Sequence, residues 1–578
     1  MSKQQTKTSA ALSFDGFGGV DKTRGHSDTV CAEEMLNFRV RRDGSLQKRC
    51  GYRLLTDVGA PVRSYWIGRM DGEMCFFVAT DQTLFSIDPA SGEKTSIAPL
   101  PEQAERSLFF FYRDSLYLLN GKRFFRVTRE GMEEIIGYVP LLTKDWDNRV
   151  VGEIYEPRNI LTRKARLSYV ISDPPSMFLL PPHGVKSLEL EKVEINGEEI
   201  DPSRFEFDKN FETINVSKVL AGDRVMIYAL FPEDYDDLFE QFCSCRYATT
   251  FGGPSSNRLF FWGGSAPTTM FSSTYLARDR LTEAQEIYPN CSPLYFPEGF
   301  EFTVGEGRHP VQGTQRHYDR LLIFTKGDTW IANEDSSGLD DFPTLGINSG
   351  IGCASAEGIA LAENDPVTVG EYTVWQWSGE TDRLSERNAS RLSEAIDPLL
   401  SPEDYASAQL YYNRRERELW MNLPHRDEVW IYHTGHRAWY RFGGISADQF
   451  FDLETGVAFL RGSKIFVFDE TLNVDCDADG EERPIEAYYL STVSDFGTAE
   501  NKNLCRLTVR GDLGGGTLSV TFSGDGTQPV RCELSDDSSA HSVIDRRVSS
   551  GSFRCGSVRI SSSDGARPVI HSLTLRAR

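Results

Sequence analysis

The most explicit chemical spacing in the chain lies at residues 475–486, which read DCDADGEERPIE. This fits D-x-D-x-D-G-x5-E, the spacing of a calcium-binding loop. Asp475, Asp477 and Asp479 would supply oxygens, Gly480 the tight turn and Glu486 a bidentate carboxylate, the hard donor set that this cation takes. Two residues oppose the metal. Glu482 stands where such loops place an aliphatic residue, and Pro484 falls late in the loop. The flanking pattern is that of strands, not helices. The plainer reading, which we prefer, is an acidic linker between two domains. Asp475, Asp477, Asp479 and Glu486 stand as the candidate metal set, and no cofactor is expected.

Other chemistry is sparse. The chain has no H-E-x-x-H, no G-x-S-x-G and no G-x-x-x-x-G-K-[ST]. His433 and His436 are three apart, but HTGHRAWY reads as a turn between strands rather than a helix face that would present two ligands. Cys243 and Cys245 form a C-x-C pair with no second pair at zinc spacing. Lys326, Gly327, Asp328, Thr329 and Trp330 are a faint echo of the S-x-D-x-G-x-T-W turn of sialidase-like propellers, and Ser523, Gly524, Asp525 and Gly526 misplace the glycine. Sequence-distant carboxylates can still meet in a fold, as in glycoside cleavage. Trp375, Trp377, Trp420, Trp430 and Trp439 have the chemistry to stack on sugars. Each lies in a strand pattern, which points to core packing instead.

The bulk composition narrows the classes further. There are 62 Lys+Arg against 85 Asp+Glu, a net charge of −23, which opposes a grip on nucleic acid through phosphate neutralisation. A negative wall still lets DNA slide past without sticking. Eleven cysteines without regular spacing do not make a disulfide framework and suit a reduced compartment. The start, Met1 to Thr6, lacks the apolar core of a signal peptide, and no apolar run approaches the ~20 residues of a membrane helix.

The elements that must carry these residues are strands. Residues 76–88, 116–128, 321–333 and 458–470 each read as an apolar run, a short polar turn and a second apolar run. Weaker copies lie at 257–275, 372–379 and 417–432. An isolated hairpin is marginal, whereas radial repetition protects strand edges, so the spacing predicts a β-propeller. One long gap, 141–240, contains a hairpin at Asn196 and Gly197, a turn near Asp208 and a last strand at 225–230, and reads as an inserted β-domain. Beyond 484, alternation in LTVRG, TLSVTFSG and HSLTLRAR reads as a C-terminal β-sandwich. Helices are expected at 233–242 and at 401–409, the latter with Ser401 as N-cap and Pro402 at the first position. The fold class is therefore all-β: an N-terminal arm at 1–56, a propeller at 57–140 and 241–475, the insert at 141–240 and the sandwich at 484–578.

The segment from Phe17 to Leu55 carries Gly18, Gly19 and Val20, then Asn37 and Phe38, then Asp43, Gly44, Ser45 and Leu46, then Lys48 and Arg49, then Gly51 and Tyr52. This constellation resembles the opening of short-tailed bacteriophage tail proteins, the tail nozzle (tubular protein B) and the packaged-DNA stabilisation hub. The stretches DRLLIFTKGDTWIA from Asp319, INSGIGC from Ile347, Val374 to Ser378, Ser393 to Leu400, ELWMNLP, VWIYHTGHRAWYRF, SVRISSS and HSLTLRAR are similar to the same family, each over a short and degenerate piece. The resemblance implies a structural virion protein and not an enzyme. It implies a homohexameric ring below the portal and adaptor, next to tail fibres or spikes, located in the virion tail and assembled in host cytoplasm. Such a ring retains packaged DNA and lets double-stranded DNA pass through an acidic channel at ejection. It carries over no individual functional residue. Two other classes compete. A carbohydrate-active or glycan-binding propeller at the tail tip would bring acids and strand-borne aromatics into one pocket, and a cellular propeller scaffold would be a monomer.

Overall fold

The computed structural model describes residues 10–23, 31–101, 107–150, 152–174, 176–179, 188–232, 237–252, 258–333, 344–378, 388–535 and 542–578. The polar start at 1–9, part of the Phe17–Leu55 segment and residues 233–236 of one expected helix lie outside them. Among the described residues strand accounts for 52% and helix for 6%, so the fold is all-β. No sheet closes on itself into a barrel.

Six separate four-stranded sheets and one four-stranded run within a larger sheet follow one another along the chain. We number them I (64–99), II (108–135), III (247–303), IV (311–348), V (359–391), VI (409–443) and VII (449–469 with Gly51–Asp57). Each is an antiparallel meander, and the apolar hairpins read from the sequence form its second and third strands. Residues 76–88 become Glu73–Ala79 and Thr83–Ile87 of sheet I, and residues 458–470 become Gly456–Arg461 and Lys464–Asp469 of sheet VII. The first strands touch in chain order, from Ser64–Met70 of sheet I through Gln449–Leu453 of sheet VII. Sheet VII then returns to sheet I: Phe451 packs on Tyr65 with ring centroids 4.7 Å apart, and Phe76, Val78, Leu453 and Leu460 share one core.

Between sheets II and III the chain leaves for a separate unit. Its five-stranded sheet runs in the order Leu141–Asp147, Lys164–Val170, Arg224–Leu230, Glu189–Ile195, Glu198–Glu199. A three-stranded sheet of Ser176–Leu179, Thr213–Val216 and Phe205–Asp208 accompanies it. The hairpin at Asn196 and Gly197 is present, and both residues take positive φ, as a two-residue turn requires. The unit has its own core around Leu167, Tyr169, Val193, Val225 and Ile227.

The C-terminal strands form two facing layers. Ala487–Ser491, Gly556–Ser562, Thr517–Gly524 and Val530–Ser535 form one, and Leu504–Asp512, Ser542–Arg547 and Val569–Ala577 the other. The N-terminal segment is woven through both. Ala10–Phe14 and Leu46–Lys48 pair with Val569–Ala577, and Phe38–Val40 pairs with Leu46–Lys48. Ala32–Leu36 bridges Ala438–Gly443 of sheet VI to Ala487–Ser491, so sheet VI continues into the C-terminal layer as one nine-stranded sheet. Gly51–Asp57 then supplies the fourth strand of sheet VII.

Helix is confined to short pieces. α1 (Asp237–Cys243) covers the described part of the first expected helix. α2 (Arg278–Ile287) is mostly polar, with Ala284 its one buried residue and Leu281 and Tyr288 packed beside it. α3 (Pro402–Ser407) starts as expected, with Ser401 and Asp404 forming a reciprocal capping box. No helix among the described residues is long and apolar enough to cross a membrane.

Candidate functional site

The densest buried chemistry lies on the seam where the N-terminal segment, sheets VI and VII and the C-terminal layers meet. Asn37 is its pivot. It sits between Ala32–Leu36 and Phe38–Val40 with φ +54°, a left-handed conformation that Asn tolerates better than most residues. The turn moves the chain from one layer to the other. Its side-chain amide makes three bonds: Nδ2 donates to Glu486 O at 2.7 Å, and Oδ1 accepts from Gly443 N at 2.9 Å and from Arg49 Nε at 3.0 Å.

Arg49 extends the pivot. It donates Nη1 to Asp475 Oδ1 at 2.7 Å and Nη2 to Oδ2 at 2.6 Å, a bidentate pair with both groups buried. It also reaches the carbonyls of Cys50 and Gly443. Arg39 donates Nη2 to both oxygens of buried Glu418, which also accepts from Trp420 Nε1 and from the Tyr440 hydroxyl. Burial, and next the Glu418 charge, push the Tyr440 phenol well above its usual range, so it stays a donor. Lys48 is fully buried and donates to Asp564 O at 2.6 Å; burial lowers its pKa to about 8. Two glycines allow the close approach. A Cβ on Gly19 would fall 2.2 Å from Trp439 O, and one on Gly51 would fall 1.8 Å from Val474 O.

Each candidate metal ligand has a definite place. Asp475 is committed to Arg49, and Asp477 pairs with Arg483 at 3.0 Å and with Arg461 at 3.6 Å. Asp479 and Glu486 are exposed. Val474–Cys476 and Glu482–Pro484 pair as a two-stranded hairpin, so the segment is extended where a calcium loop would wrap. Among the described residues no group of three His, Cys, Asp or Glu gathers to hold a metal. His433 sits in the turn read from the sequence, its Nδ1 accepting from the backbone N–H groups of Gly435 and His436. Cys243 and Cys245 are buried thiols, and burial pushes Cys245 up to about 12. Of the five tryptophans considered for stacking, Trp377, Trp420, Trp430 and Trp439 are buried, and Trp375 is half-buried.

A second buried cluster braces the inserted unit. Glu156 accepts from the Tyr138 hydroxyl at 2.9 Å, from Leu141 N at 2.6 Å and from Arg280 Nη1 of α2 at 3.2 Å. Buried Arg166 donates Nε to Val139 O at 3.2 Å and lies 3.6 Å from Glu283 of α2. Tyr288, at the end of α2, donates to Glu191 at 2.9 Å. Sequence reasoning missed this brace, because α2 is an excursion within sheet III whose partners lie 97 or more residues away.

The first strands of the seven sheets carry one acid, Asp452, together with Arg69 and Arg316.

No family model matches the chain, and no curated protein matches it. Among solved structures, it is similar at 10% identity to PorZ, a bacterial surface component of the type-IX secretion system of Porphyromonas gingivalis, over 77% of this chain and 42% of that one, with a TM-score of 0.34. The chain thus spans less than half the length of PorZ. It is similar at 8% identity to the AfRom2 CNH domain over 72% of this chain and 99% of that one, with a TM-score of 0.36. An exo-beta-1,3-galactanase from Phanerochaete chrysosporium matches at 9% identity over 92% of this chain and 99% of that one, with a TM-score of 0.19. At these scores the likenesses decide neither fold nor activity.

Proposed function

We propose that sheets I to VII are the blades of a β-propeller, interrupted by an inserted β-domain and followed by a C-terminal β-sandwich. We propose further that the chain is a structural component of a bacteriophage tail, the nozzle or hub that extends the DNA channel below the portal and adaptor. The observation that carries this reading is the use of the N-terminal constellation. Gly19, Asn37, Lys48, Arg49 and Gly51, the residues by which the segment resembles tail proteins, are all buried contacts of the seam. They fix the last two blades to the sandwich. Buried, hydrogen-bonded charge pairs that hold subdomains in one register suit a part that must bear load rather than turn over substrate. The inserted unit, braced by α2, projects as a contact module. The excess of acid would line a passage from which DNA phosphates are repelled.

The test is oligomeric state, by native mass spectrometry and electron microscopy of the full chain. Six copies around an acidic pore wide enough for duplex DNA are expected. A stable monomer at high concentration, or a ring with a basic or neutral pore, overturns the reading.

One observation favours the glycan-binding alternative. An open cleft of about 600 Å³ between sheets V and VI presents Glu363, Asp365, Gln376, Arg391, Tyr432 and Arg437. Glu363 is held below the usual carboxylate range by hydrogen bonds from Arg417 and Thr434, so at neutral pH it accepts and does not donate protons. The cleft's polar lining, with Tyr432 beside it, suits sugar binding. Titration with oligosaccharides, followed by calorimetry, decides it; no saturable heat eliminates this reading.

A further inference from the structure

A cavity of about 360 Å³ opens where Val20 and Lys22 of the N-terminal segment face sheet VI and the C-terminal layer. Trp430 forms part of its wall. This indole is 3% exposed, yet its Nε1–H has no acceptor. The neighbouring tryptophans of sheets V and VI differ. Trp377 donates to Thr368 Oγ1, Trp420 to Glu418 and Trp439 to Leu392 O. A buried donor left unmade is disfavoured, and such groups are normally met by protein, water or ligand. Arg441 lines the same cavity, with its guanidinium 5.7 Å from the centre of the Trp430 ring. Its Nη1 is held by Glu428 at 2.8 Å, while its buried Nε has no acceptor.

The charged groups around the cavity leave donors to spare. Lys22 is neutralised by Glu33. Glu34 accepts from the Tyr488 hydroxyl at 3.3 Å. Arg426 reaches Asp404 at 3.0 Å and Glu428 at 3.3 Å, both outside the cavity wall. Two unmet N–H groups, one on a guanidinium and one on an indole, with a second guanidinium beside them, ask for a planar anionic acceptor. The volume exceeds that of a single water many times over and falls at the lower end of small-molecule sites.

We propose that this cavity binds a carboxylate, carried either on a small organic acid or on the free C-terminus of a peptide chain. Trp430 Nε1 and Arg441 Nε donate to its oxygens, and Arg426, which lines the same cavity, offers a second guanidinium. The proposal does not rest on the tail reading.

The test uses the full chain with ¹⁵N-labelled indoles, the Trp430 signal being identified by its loss in Trp430→Phe. Three probes are titrated: sodium glutarate, the peptide acetyl-Ala-Ala-Leu with a free carboxylate, and the same peptide amidated. A saturable shift of the Trp430 indole with either carboxylate probe, and none with the amidated peptide, is expected. Glutarate alone points to a small acid, and the peptide alone to a chain terminus. Arg441→Gln should weaken the response at least tenfold while the other indole signals stay in place. If that variant unfolds, Arg426→Gln should weaken it several-fold. No shift with any probe, or an equal shift with the amidated peptide, means that water alone meets these donors and overturns the proposal.

Discussion

At the scale of single residues, the seam makes two demands that can be measured. Arg49 and Asp475 are buried and bidentate, so removing one leaves the other as an uncompensated charge. Arg49→Met and Asp475→Asn should each destabilise the chain by about 3–5 kcal/mol in urea unfolding. The double variant Arg49→Met with Asp475→Leu should recover a large part, because no lone charge remains. Single losses under about 1 kcal/mol would mean that the pair is hydrated and not structural. Lys48 gives a pH signature. Its folded pKa is lowered to about 8 by burial, against an ordinary 10.5. Between these values the unfolded chain binds more protons than the folded one, so stability rises with pH across that window. The gain is bounded at about 3 kcal/mol. Wild type should therefore gain on Lys48→Met between pH 7.5 and 10.5; a flat difference would contradict the lowered pKa. These residues also show where local reading fails. Asp475 was legible as part of an acidic loop motif, but the partner that claims it is 426 positions away, and nothing in DCDADGEERPIE announces an arginine.

At the scale of elements, hairpins were legible and their long-range partners were not. Alternation over a dozen residues marks two strands and a turn, and all four clear copies fold that way. Pairing between strands hundreds of residues apart leaves no periodic trace. The segment 1–56 has short apolar runs and reads as an arm. It in fact places Ala10–Phe14, Phe38–Val40 and Leu46–Lys48 in the C-terminal layers and Gly51–Asp57 in sheet VII. The hairpin at Asn196 and Gly197 was legible because its turn is local, while the apolar side of α2, Leu281, Ala284 and Tyr288, is too short to announce its distant partners. The interlacing has a consequence for dissection. A fragment of residues 484–578 lacks the strands that cover Val569–Ala577, and it exposes Leu573 and Leu575, which are fully buried in the whole chain. That fragment alone should show no cooperative thermal transition. Co-expressed with residues 1–57 it should regain one, followed by circular dichroism. A cooperative transition in the lone fragment would show that the N-terminal strands are an ornament on an independent sandwich.

At the scale of the whole molecule, charge placement bears on the proposed passage of DNA. The net charge is −23, yet the first strands of the seven sheets contribute a single acid. Under the proposed ring, a repulsive wall would therefore draw its acids from other faces of the chain. The exposed acids of the inserted unit are one source: Glu189, Glu198 and Glu199 lie on adjacent strands of its five-stranded sheet. Exposed substitutions of this kind change stability by less than about 0.5 kcal/mol, so charge can be reversed without disturbing the fold. The wild-type chain should not retain duplex DNA even at 50 mM salt. A chain with Glu189→Lys, Glu198→Lys and Glu199→Lys should retain it if this sheet faces the passage. That retention should fall steeply with salt, because each phosphate contact releases counterions and sets a slope of about −0.9 in log K against log salt. Electrophoretic mobility at several salt concentrations reads both. DNA retention by the unmodified chain would remove the physical basis for an acidic passage. A triple variant that still ignores DNA would mean, on the proposed reading, that this sheet does not face the passage.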